Sequence, residues 1–214
     1  MRAVAQSEHP VSGRQVGVAP DTRAPLVVII SDPPWRYAFS RSRSRRIENQ
    51  YATLAVPEIM EARRVLVELT RSVRLWGEVY SDPPPAILYL WATAPKLPEA
   101  LAVMSSWDFE YKTHLVWDKV RVGMGYWARG RHELVLVGTR GDASPPAPAL
   151  RLPSIVREKR GAHSVKPDWL HEHVEKAFPQ ARKIELFARR PRAGWTVWGD
   201  EVGGVGGVAE EARS

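Results

Sequence analysis

The sequence predicts an α/β protein built on a doubly wound, mostly parallel sheet. Three observations lead there. Strand-like and helix-like segments alternate along the chain, the order that places helices on both faces of a sheet. Val27-Val28-Ile29-Ile30 is an unbroken β-branched run, as expected of a parallel strand covered on both sides. Pro57, Pro98 and Pro167 each stand at the start of an amphipathic stretch, where a ring without an N–H begins a helix without losing a hydrogen bond.

In chain order, strands are expected near 26–31, 86–91, 111–117, 133–138, 183–187 and 195–198, with helices over 57–70, 98–107 and 167–177. Ile59, Val65, Leu66 and Leu69 form one apolar stripe in the first helix; Leu170, Val174 and Ala177 form another in the last. Trp91 and Trp117 fall within strand patterns and are expected in the core. Residues 26–202 are read as one domain, between an N-terminal arm (1–25) and a glycine-rich tail (203–214). The 214 residues carry a formal net charge of +7, which should attract polyanions. There is no cysteine, which excludes disulfides and any cysteine-based zinc module. No apolar stretch approaches a membrane span and the N-terminus lacks a secretory core, so a cytoplasmic protein without membrane contact is expected.

The chemistry begins where the first strand ends, at Ser31-Asp32-Pro33-Pro34-Trp35. Ligands of open α/β sheets bind beyond the carboxyl ends of the strands, so Asp32 should stand at the lip of a cleft. Pro33 and Pro34 have no N–H, so their carbonyls are expected to face a ligand without competing amides beside them. Trp35 offers a flat face for a base. Together they suit an exocyclic amine on a planar ring, donating one hydrogen to the carboxylate and one to the Pro33 carbonyl. The bare tripeptide is weak evidence: Ser81-Asp82-Pro83-Pro84-Pro85 repeats it with no strand before it, and reads as a turn leading into the next strand.

Strand plus Asp32-Pro33-Pro34-Trp35 resembles the motif of the MT-A70 family of adenine N6-methyltransferases, in its compact bacterial or phage form. Further segments follow in that family's order: Asn49 to Leu54, Leu88 to Thr93, His132 to Gly141, Ser164 to Asp168, Lys183 to Arg189 and Gly194 to Glu201. The resemblance implies a Rossmann-like class I methyltransferase fold with permuted motif order. It implies methyl transfer from S-adenosylmethionine to the N6 amine of adenine, with Asp32, Pro33, Pro34 and Trp35 as the catalytic set and no metal.

The cofactor segment implied is Lys183 to Glu201. Within it Glu185 would accept from the ribose and Phe187 would lie near the adenine, while Arg189 and Lys166 are cations for the methionine carboxylate or the sugar edge. Asp200 and Glu201 stand where some members carry Asn followed by Gln or Glu; an aspartate accepts from ribose hydroxyls but cannot donate. The Pro-His-Asn triplet of eukaryotic relatives is replaced by Arg190-Pro191-Arg192, leaving open which group holds the carboxylate.

Arg36, Arg41, Arg43, Arg45 and Arg46 follow the motif with no acid among them, and read as a phosphate-gripping segment. Tyr51 is a candidate second wall for the base, with a core tyrosine as the alternative. In the basic stretch Lys119 to Arg131, Tyr126 and Trp127 offer rings for stacking and Arg129 a cation; covering the sheet edge is the alternative. DNA is preferred over RNA because compact forms resemble DNA enzymes, and monomer and homodimer both stay open. Two rival readings also stay open: an inactive nucleic-acid-binding scaffold, and a methyltransferase for another amine or amide.

Overall fold

The computed structural model describes residues 26–37, 52–71, 83–123, 127–161 and 165–203. The first strand, β1 (Val27–Ser31), is buried at every position, as its continuous apolar run requires. Helices α1 (Val56–Glu61) and α2 (Arg63–Arg71) replace the single helix expected over 57–70. The break is at Ala62, whose N–H donates to the Ile59 carbonyl at 3.1 Å, a tightened i to i−3 turn. The apolar stripe survives it, with Ile59, Leu66 and Leu69 all buried. Pro57 sits in the first turn of α1, and the Glu58 carboxylate reaches back to accept the Ala55 N–H at 2.6 Å.

Then come β2 (Ala86–Ala92), α3 (Leu97–Ser106) with Pro98 in its first turn, and β3 (Glu110–Asp118). They are followed by β4 (His132–Arg140), the three-residue β5 (Ile155–Arg157), α4 (Trp169–Ala177), β6 (Arg182–Leu186) and β7 (Trp195–Trp198). Strand β5 was not expected, because three residues are too few to carry a period. Pro167 lies outside α4: the first helical bond is accepted by the Asp168 carbonyl from the Glu172 N–H, so the proline precedes the cap.

The seven strands lie in the order β5-β3-β4-β2-β1-β6-β7. All pairings are parallel except those of β4, which runs against both β2 and β3. The alternation of side chains along each strand divides the core in two. Val27 and Ile29 of β1 pack with Ile59, Leu66, Val103 and Trp107 from α1, α2 and the end of α3. Val28 and Ile30 face the other way, toward Leu170 and Val174 of α4. No helix among the described residues is long and apolar enough to cross a membrane.

Candidate active site

Ser31 ends β1 opposite Leu90 on β2 and Leu186 on β6. One residue further along these parallel strands come Asp32, Trp91 and Phe187, so the sheet brings the three to one end. The loop after Asp32 is clamped from below: Trp35 forms an isolated bridge with Leu54, and the Leu54 N–H donates to the Pro34 carbonyl at 2.8 Å. The Pro33 carbonyl accepts the Trp35 N–H at 2.8 Å. Both prolyl carbonyls thus already accept an amide, contrary to expectation. Proline removes its own donor, not those of its neighbours, and each oxygen keeps one lone pair for a ligand.

Trp35 is placed differently from its expected role. Its ring is 5% exposed, within the α1–α3 side of the core, and its Nε1 donates to the Trp91 carbonyl at 3.1 Å. It anchors the loop to β2 and presents no open face to a base. Burying a large ring with its one donor satisfied is the more stable placement.

Asp32 is paired with Lys166, whose Nζ donates to Oδ1 at 2.7 Å and to Oδ2 at 2.9 Å. The same ammonium lies 3.4 Å from Glu133 Oε2, and Lys119 Nζ donates to Glu133 Oε1 at 3.1 Å. Asp32, Lys166, Glu133 and Lys119 form a chain of alternating charge, each side chain one-fifth exposed or less. Lys166 also lies over the Trp91 ring, 5.4 Å from its centre. Burial pulls the Lys166 ammonium down, but the charges of Asp32 and Glu133 outweigh it and hold the ammonium above the ordinary lysine value. Lys119 and Glu133 were not singled out from the sequence. They reach this end because β4 is reversed, which sets Glu133 opposite Trp117 near the carboxyl end of β3. The one sequence signal was an acid opening a strand directly after a basic stretch.

Glu185 projects from β6 beside Ile30 toward α4, where its Oε2 lies 3.0 Å from His171 Nε2. In the sequence His171 carries no signal of this contact, since a helical histidine announces no partner from a distant strand. Phe187 follows at φ 60°, the left-handed region that non-glycine residues seldom adopt, with its ring edge-on to Trp198 at 5.3 Å. Arg189 is half-buried just beyond, and Asp200 and Glu201 are exposed in a short turn after β7.

Arg190 and Arg192, which replace the triplet of eukaryotic relatives, turn away toward α4. Arg190 bonds Asp168 at 2.7 Å; Arg192 bonds Glu175 at 2.7 Å and Asp168 at 3.1 Å. The Arg192 guanidinium beside it holds the Glu175 carboxyl below its usual range. These two arginines clip the helix onto the β6–β7 connection.

On the substrate side, Arg36 is already engaged: its guanidinium bonds the Thr53 carbonyl at 3.1 Å and Glu58 at 3.4 Å. Trp127 is 97% exposed, and Arg129 lies exposed with its Nε 3.4 Å from the Gly123 carbonyl. Arg41, Arg43, Arg45, Arg46, Tyr51 and Tyr126 lie outside the described residues.

A mixed seven-stranded sheet with an Asp-Pro-Pro-Trp loop at the end of its inner strand defines a class, the Rossmann-like class I methyltransferase fold. Within that class the chain belongs to the MT-A70 family, whose model matches residues 26–201. It is 38% identical over 117 residues to the Type II methyltransferase M.MunI of Mycoplasma sp, covering 54% of this chain and 50% of that protein. It is 27% identical over 190 residues to the N(6)-adenosine-methyltransferase catalytic subunit METTL3 of Homo sapiens, covering 84% of this chain and 29% of that one. The MT-A70-like N(6)-adenosine-methyltransferase of Arabidopsis thaliana is 26% identical over 197 residues, 25% of its length. The matches therefore span half or less of these curated relatives.

Proposed function

We propose that this chain transfers a methyl group from S-adenosylmethionine to the N6 amine of adenine in nucleic acid, with DNA the preferred substrate. The observation that carries the reading is Asp32 at the lip of β1, its carboxylate oriented by Lys166 at 2.7 and 2.9 Å. The donor set fits the cofactor. Glu185 is a carboxylate suited to a ribose diol, Phe187 and Trp198 supply aromatic surface at the same end of the sheet but on its α1–α3 side, and Lys166 is a partly buried cation beside Asp32. Ser31 Oγ and Trp169 Nε1 are buried without partners at the same end of the sheet, as expected of groups that a ligand would satisfy.

S-adenosylmethionine supplies an electrophilic methyl on a sulfonium when bound. The residues act on the other reactant. The N6 lone pair is delocalised into the adenine ring, so the amine is a poor nucleophile. Asp32 and the free lone pair of the Pro33 carbonyl accept its two hydrogens, which returns electron density to nitrogen and fixes its direction of approach. Positive charge then develops on N6 beside the Asp32 carboxylate, preorganised by Lys166; the thioether S-adenosylhomocysteine is left behind and the methylated amine gives up its surplus proton to solvent. As the amine takes one Asp32 oxygen, Lys166 keeps the other and retains Glu133, so no buried charge is left alone. Trp35 and Pro34 hold the loop in this geometry. The preference for DNA rests on the 38% identity, over 117 residues, to a type II methyltransferase.

The test is mass spectrometry of N6-methyladenine after incubation with S-adenosylmethionine and single-stranded DNA, duplex DNA or RNA, with Asp32→Ala as control. Product on DNA that disappears in the variant supports the reading. Product on RNA alone overturns the preference, and equal turnover by the variant overturns the mechanism.

A further inference from the structure

His171 lies outside the residues assigned to the reaction, yet its environment is built. Its side chain is 12% exposed and its Nε2 meets Glu185 Oε2 at 3.0 Å. Its Nδ1 is buried with no hydrogen-bond partner. The ring packs against Trp195, centres 4.9 Å apart at 62°, and the Trp195 Nε1 donates to Glu175 at 2.8 Å.

These contacts fix the tautomer. A proton on Nδ1 alone would bury an unsatisfied N–H and would turn the Nε2 lone pair against a carboxylate. With the proton on Nε2, the ring donates to Glu185 and leaves only a bare acceptor unpaired, the cheaper deficit. Glu185 is then held by one oxygen. Oε1 and the second lone pair of Oε2 remain, at a fixed angle, for two vicinal hydroxyls. Without His171 the carboxylate would have rotamers to lose on binding, which weakens any ligand that needs it in one pose.

We propose that His171 is a positioning residue for ribose recognition: it orients Glu185 toward the 2′- and 3′-hydroxyls of the nucleoside, so that cofactor affinity and discrimination against deoxyribose depend on it. This rests on the cofactor reading of the preceding section. The sequence concealed it because the two partners come from α4 and β6, 14 residues apart, and meet only when the helix packs on the sheet.

The test measures binding of S-adenosylhomocysteine and its 2′-deoxy analogue by calorimetry to the full chain and to His171→Leu and His171→Gln. The unsubstituted protein should prefer the ribose compound by about tenfold, the worth of one hydrogen bond to a charged group. His171→Leu should lose that preference by weakening the ribose compound and sparing the deoxy one. His171→Gln, which retains a donor, should recover most of it. The kcat with both substrates saturating should stay within about twofold, because Glu185 does not touch the reacting atoms. Equal weakening of both compounds by His171→Leu would reduce His171 to a packing residue and overturn the proposal, as would full affinity in that variant. Should the leucine variant not fold, His171→Phe fills the same space and decides the same comparison. If the unsubstituted protein binds neither compound, the cofactor reading itself fails, an outcome distinct from any behaviour of the variants.

Discussion

Removing the charge of Asp32 is the sharpest perturbation of this site. The cluster holds two carboxylates, Asp32 and Glu133, and two ammonium groups, Lys166 and Lys119, linked by contacts of 2.7 to 3.4 Å. It is electrically balanced. Asp32→Asn keeps an acceptor oxygen but leaves one excess positive charge beside a nitrogen that must itself become cationic. At about 4 Å and an effective dielectric of about 20, that excess opposes the charge transfer by up to about 4 kcal/mol. Lys166 can swing toward Glu133 and relieve part of it. Deletion of one preorganised group in comparable sites costs about 10²–10³ in rate. Asp32→Asn should therefore lower the single-turnover rate about a hundredfold, and Asp32→Ala, which also loses the acceptor, about a thousandfold or more. The Asp32–Lys166 pair is largely buried, so its loss should cost about 3 kcal/mol of stability, the low end for a broken buried pair because Lys166 keeps Glu133, and both variants should fold. The assay is a single turnover on an adenine oligonucleotide with saturating S-adenosylmethionine, beside calorimetric cofactor binding. Rates for Asp32→Asn within about threefold of the unsubstituted protein would refute the electrostatic argument. A loss of cofactor binding as large as the loss of rate would refute the division of roles.

Three further outcomes follow from the same geometry. The folded-state value of Lys166 is raised above the ordinary 10.5, so its contribution to stability is complete below that value and is lost as pH rises through the higher one. Unfolding midpoints between pH 8 and 12 should show an alkaline fall that Lys166→Met diminishes; parallel curves would contradict it. With Arg36 already bonded to Thr53 and Glu58, four arginines of the segment after the motif remain for phosphates. The slope of log affinity against log salt should be about −2.8 for a single strand, roughly fiftyfold from 50 to 200 mM, and a slope near zero would exclude phosphate gripping. Gly199→Ala would place a methyl 2.3 Å from the Ala188 carbonyl oxygen and 2.7 Å from its nitrogen, backbone atoms that cannot step aside. Urea unfolding should show a loss of about 2–3 kcal/mol, and an unchanged midpoint would mean the turn relaxes freely.

Legibility varied with the range of the interaction. The strand before Asp32 was plain because four β-branched residues in a row suit a two-sided environment and little else. The start of α3 was equally plain, since Pro98 acts on its own turn. The break at Ala62 was not, because a tightened turn leaves the apolar stripe of α1 and α2 unaltered. Trp35 was misread for a related reason. An aromatic after Asp-Pro-Pro is compatible with a ring facing a ligand or a ring anchoring the loop, and only its bond to the Trp91 carbonyl distinguishes the two.

The sequence by itself determined the alternating architecture, the strand that carries Asp32 to the carboxyl edge of the sheet, and the family whose motifs the chain contains. These are local properties: backbone preference, side-chain period and short spacings are written in neighbouring residues. The tertiary structure alone decided which charges face one another. Lys166 meets Asp32 across 134 positions, Glu133 joins them because β4 runs backwards, and His171 finds Glu185 only when α4 lies on the sheet. An ion pair acts through a few ångströms of space, and the sequence contains no measure of that distance until the chain has folded.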